Sequence, residues 1–142
     1  EAGYSEFRKN DDSLIDNPIR LMSNLTEKML GSIDYESTKQ LRRSNYMQLD
    51  KQLSAKNGIH LTMDDDAVPM VYPYLTDDAT LRQRLIDNRI YVARYWPNVL
   101  NWCRPRDIEK TLAKDMIPLP IDQRYGEEDM KKVIETIYGF CE

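Results

Sequence analysis

The segment IPLPI, residues 117 to 121, places prolines two apart at positions 118 and 120. Proline has no amide hydrogen and its ring clashes with the preceding helical turn, so a helix cannot run through this stretch. The segment reads as a strand, and its prolines confine it to an edge or leave alternate amides without a partner by design. A second such segment is AVPMVYPYL, residues 67 to 75, rich in Val and Tyr and interrupted by Pro69 and Pro73. Between them RIYVARYW, residues 89 to 96, reads as a further strand that Pro97 ends. In an extended strand Tyr91, Ala93 and Tyr95 point one way and Val92, Arg94 and Trp96 the other.

Helical patterns separate and flank these segments. EAGYSEFRK at the start is helical, and PIRLMSNLTEKML, residues 18 to 30, spaces Ile19, Met22, Leu25, Met29 and Leu30 near a helical period, with Pro18 at the first helical position and Gly31 as the stop. Asp34 caps a longer helix with Glu36 in its first turn; Leu41, Asn45, Leu49 and Leu53 share one face with Tyr46 beside them, and Asn57-Gly58 ends it. Thr76-Asp77-Asp78 opens a helix that buries Leu81, Leu85 and Ile86. Pro105 starts another, RDIEKTLAKDM, with Ile108, Leu112 and Met116 inward. The last helix has Glu127, Glu128 and Asp129 at its positive end, a stripe of Met130, Val133, Ile134 and Ile137, and Gly139 as its stop.

These elements predict an α+β, two-layer chain: a small, mostly antiparallel three-stranded sheet covered on one face by helices, preceded by N-terminal helices. Residues 1–31 form an N-terminal helical segment and 32–142 the domain proper. The length of 142 residues allows one ordinary core.

A net charge of −4 provides no overall positive field, which argues against nucleic acid as a partner. No apolar run approaches the roughly 18 residues of a membrane span, so no membrane partner is expected. Cys103 and Cys141 are distant and belong to no CxxC, which fits a cytoplasmic location. The chain begins at Glu1 without an initiator Met, inside a helical pattern, and is expected to belong to a larger one.

The five glycines are isolated, and neither GxGxxG nor GxxxxGK[ST] occurs. His60 is the only histidine, with no second one to share a metal or relay a proton. Asp64-Asp65-Asp66 lacks the spacing of a calcium loop and reads as a solvated acidic turn; no metal site is expected. Cys103, with cationic Arg104 beside it, has only His60 as a candidate base, so it reads as structural rather than nucleophilic. The densest chemical grouping is Arg89, Tyr91, Arg94, Tyr95, Trp96, Asn98, Asn101, Trp102, Arg104 and Arg106. Guanidinium groups suit carboxylate or phosphate and aromatic faces suit sugar or base rings, but the same residue types also populate protein interfaces.

Taken in order, Arg43-x-x-Tyr46 in RRSNYMQL, then NGIHL, VPMVYPYL, LRQRLIDNRIYVARYWPNVL and IPLPIDQRYGEEDMKKVI resemble the C-terminal small domain of fold-type I pyridoxal-phosphate enzymes, nearest the DegT/StrS family of nucleotide-sugar aminotransferases. The resemblance spans roughly residues 30 to 138. Arg94-Tyr95-Trp96-Pro97 occupies the place of that family's His-Tyr-x-Pro, with Arg94 where the family has His, and Leu119-Pro120 the Leu-Pro place. It implies a full-length transferase in sugar biosynthesis that holds pyridoxal phosphate on a lysine of a large domain, and a homodimer. The chain carries neither that lysine's S-x-x-x-K surroundings nor a phosphate cup, so no catalytic and no cofactor-binding residue is expected here, and its partner would be the missing large domain. Arg94, Tyr95 and Trp96 are the substrate-side candidates. A free-standing protein-interaction or ligand-binding module is the alternative.

Overall fold

The computed structural model describes residues 2–139; Glu1 and residues 140–142, Cys141 among them, lie outside the described residues. The chain divides into two compact units, residues 1–33 and 34–142.

In the first unit, α1 spans Ala2–Asp12 and α2 spans Asn24–Gly31. The second helix begins six residues after Pro18, because Ser23 caps it by accepting the Thr26 amide at 3.1 Å. The apolar residues at helical spacing are not buried: Ile19 is 103% exposed, Leu25 69% and Met29 62%, and every described side chain from 3 to 33 is exposed.

The second unit runs α3 (Tyr35–Leu53), β1 (Val71–Leu75), α4 (Leu81–Asp87), α5 (Val99–Trp102), α6 (Ile108–Asp115), β2 (Met116–Pro120) and α7 (Glu127–Tyr138). Asp34 caps α3 by accepting the Ser37 amide, and Gly139 ends α7 at φ 78, in the left-handed region that glycine enters without strain. The core joins Tyr46, Leu49 and Leu53 of α3, Tyr72 and Tyr74 of β1, Leu81 and Leu85 of α4, Ile117 and Leu119 of β2, and Met130, Val133 and Ile137 of α7. Leu41 and Ile108, expected inside, are exposed, and Ile86 is only half-buried. Ala113 takes the buried place on α6, which begins after Asp107 rather than at Pro105.

The strands pair antiparallel with Tyr72 opposite Leu119, Pro73 opposite Pro118 and Tyr74 opposite Ile117. In such a ladder alternate residues direct both their amide and their carbonyl away from the partner strand. Leu75 belongs to that set, since its amide donates to Asn57 Oδ1 at 2.9 Å and its carbonyl accepts the Gly58 amide at 2.9 Å. Pro73 is in the same register, and its carbonyl accepts Asn57 Nδ2 at 2.8 Å. The prolines therefore occupy positions that never owed the partner a hydrogen bond. Asn57, itself buried, closes the outer edge of β1 in place of another strand.

Among the described residues the sheet has two strands, so RIYVARYW is not the third one expected. Its ends are bent out of extended geometry, with Arg89 at φ 63 and Trp96 at φ 48. The Arg82 guanidinium occupies its carbonyls, Nη1 donating to Val92 O at 3.2 Å and Ala93 O at 2.8 Å while Nη2 reaches Met116 O at 3.2 Å. Other irregular stretches are held in the same manner. Arg42 and Arg43 donate to carbonyls of residues 64 to 70, and buried Asn45 donates to the carbonyls of Ile121, Asp122 and Tyr125. Side-chain donors thus satisfy backbone acceptors that a larger sheet would have paired.

Candidate functional site

The aromatic and cationic grouping between α4 and α6 does not form one surface. Ile90 is buried and Val92 packs against the core, which anchors residues 90–92 from inside. Tyr91 points outward at 76% exposure and, with Arg89, Tyr125 and Lys132, lines a cavity of about 140 Å³. Arg94 lines a different one, of about 120 Å³, with Arg82, Lys114, Asp78 and Asp115. Tyr95 is half-buried and Trp96 exposed; their rings lie 5.7 Å apart, tilted by 53°, and neither lines the Arg94 cavity. Of the three substrate-side candidates, Arg94 stands at a concavity, while Tyr95 and Trp96 form a pair beyond it. Trp102 is exposed on α5, and Arg104 is tied to Asp107 at 3.4 Å.

Arg82 and Lys114 were not singled out by sequence reasoning. The signal for Arg82 was its place on α4 next to Leu81, which puts the first turn of that helix against the core. The floor of the Arg94 cavity follows from that placement. Three cations face two carboxylates there, and both carboxylates are engaged: Asp115 lies 3.5 Å from Lys114, and Asp78 lies 3.0 Å from Arg84. Asp78 also accepts the Thr80 amide and hydroxyl, and these bonds with the Arg84 guanidinium hold its carboxyl below the usual carboxylate range. Neither Arg82 nor Arg94 has a carboxylate within 4.0 Å among the described residues. Burial lowers the Arg82 guanidinium from its ordinary value, and the neighbouring Arg94 charge lowers it further.

His60 is exposed and borders a hollow of about 120 Å³ shared with Tyr46, Asp50 and Asn57, which Cys103 does not line. Asp50 accepts the Tyr72 hydroxyl at 3.1 Å, and the Tyr46 and Tyr72 rings meet at 5.0 Å. Between α3 and α7 runs an open groove of about 570 Å³ with Met47 and Ile134 in it. Asp64, Asp65 and Asp66 are exposed, and no group of three metal-ligating side chains gathers among the described residues. The described lysines are exposed or half-buried. Among the described residues no helix is long and apolar enough to cross a membrane.

No family model, curated protein or solved structure matches this chain.

Proposed function

We propose that this chain is the C-terminal small domain of an aminotransferase-like protein of DegT/StrS type. Its large domain would hold pyridoxal phosphate, and residues 34–142 would close over the substrate. The observation that carries the reading is the sequence of supports around Arg94. Helix α4 sends Arg82 to carbonyls of the aromatic segment and of β2, and so presents Arg94 at a concave, cation-rich place rather than on a flat surface. In this reading Arg94 meets an anionic group of the substrate, Tyr95 and Trp96 pack at its margin, and helices cover one side of the small sheet in two layers. Catalysis belongs to the large domain, and the chain alone has none.

The alternative is a free-standing interaction module, and the exposed Tyr91, Trp96 and Trp102 near Arg94 favour it, since these residue types populate protein interfaces. Sedimentation of the purified chain over a concentration series separates the two. A domain deprived of its partner self-associates as concentration rises and shows no transaminase activity. A monodisperse chain favours the module, and transaminase activity in a sample free of other enzymes contradicts the domain reading.

A further inference from the structure

The cavity shared by Arg82, Arg94 and Lys114 has a charge arrangement that the protein itself leaves incomplete. A guanidinium carries five N–H donors, and Arg82 commits three of them to the carbonyls of Val92, Ala93 and Met116. Those carbonyls fix the plane and position of the group but supply no counter-charge. Arg94 brings a second guanidinium close enough to disfavour the first; Asp78 and Asp115 also line the cavity, but they pair with Arg84 and Lys114 rather than with either of these guanidinium groups. Lys114, already paired with Asp115, adds a third cation at the wall. Like charges held together by packing, with donors to spare, are stabilised by an anion, and guanidinium forks match tetrahedral oxyanions. The space of about 120 Å³ has room for a small oxyanion group.

We infer that Arg82, Arg94 and Lys114 form a binding site for a phosphate group, with Arg82 held in place by its three carbonyl partners. A dianion draws on all three cations, whereas a single carboxylate satisfies one fork. The inference rests on the substrate-side role proposed for Arg94 and names the chemistry that role would serve.

The test is calorimetric titration of the whole 142-residue chain with inorganic phosphate at low ionic strength. Saturable binding is expected, weakened about tenfold in Arg94→Gln and in Lys114→Gln and unchanged in Arg104→Gln, whose guanidinium lies outside the cavity. Both test positions are exposed, so circular dichroism of the variants should match the parent chain. A flat titration, or equal weakening in Arg104→Gln, overturns the site, and acetate binding as tightly as phosphate overturns the phosphate assignment. A sugar monophosphate that binds more tightly than the free ion marks the phosphate as the handle of an organic ligand, while equal binding marks the ion itself; either upholds the site. Because the titration uses the chain alone, a source protein without pyridoxal phosphate would overturn the domain reading and leave the isotherm standing. A flat isotherm would do the reverse.

Discussion

Pro73 stands directly opposite Pro118 in the antiparallel ladder, two residues without amide hydrogens facing each other across the only strand pair described. The pairing costs the sheet nothing, because both lie at positions whose backbone groups point outward. What β1 needs in exchange is a partner for its outer edge, and Asn57 provides it with one side chain.

Asn57→Ala should therefore destabilise the chain by about 2–3 kcal/mol, since it strands the Leu75 amide, the Ile59 amide and the Pro73 carbonyl together. Urea unfolding of the variant checks this; a loss under about 0.5 kcal/mol would mean that water replaces the amide.

Gly58→Ala tests the same edge by crowding rather than by deletion. A Cβ there would sit 3.1 Å from the Leu75 carbonyl oxygen and 3.2 Å from its Cγ. The Gly58 amide donates to that same oxygen, so relief by movement weakens the bond. A cost of about 1–2 kcal/mol is expected in thermal melts.

Arg82→Gln should loosen residues 91–96 selectively. The shorter amide cannot span Val92 O, Ala93 O and Met116 O together, so amide exchange should accelerate through the aromatic segment and leave α3 and α7 protected. Uniform acceleration across the core would show that Arg82 supports the whole unit rather than this segment.

Tyr72 gives the chain an alkaline signature. Burial pushes its hydroxyl up to about 12, opposed by the Asn57 amide and reinforced by the Asp50 carboxylate. Between pH 10 and 12 the folded chain keeps a proton that the unfolded chain has released, so stability is full below pH 10 and falls as pH rises through that window. The Tyr72 contribution to the slope is up to about 1 kcal/mol per pH unit. Tyr72→Phe should flatten the slope and remove the last tyrosinate transition in an ultraviolet titration, leaving the smaller upward shifts of Tyr46 and Tyr74.

Helices α3 and α7 were legible in the sequence because their apolar spacing and caps act locally: Asp34, Leu49, Leu53, Met130, Val133 and Gly139 do what their positions suggest. The proline-bearing strands were legible too, and the register gives their prolines a shared reason. RIYVARYW misled because alternation of side chains registers burial at Ile90 and Val92 but not who takes the backbone acceptors. Arg82 takes them, from another element, and that contact has no local signature. Asn45 is a parallel case, a polar residue on an apolar face whose three carbonyl partners lie more than 70 positions away. The apolar pattern of residues 19 to 30 was equally visible, yet those residues are exposed, since spacing shows which side chains share a face and not what covers it. At the candidate site Arg94 was visible as a cation among aromatics, whereas Lys114 reaches the same cavity from α6 only through the fold.

The measurement closest to the central proposal is the mass and cofactor content of the natural protein, taken from source cells with an antibody to this chain after borohydride reduction. The account predicts a species well above 16.8 kDa with a pyridoxyl group fixed on a lysine outside residues 1–142. A species of 16.8 kDa, or a longer one without the pyridoxyl group, would contradict it.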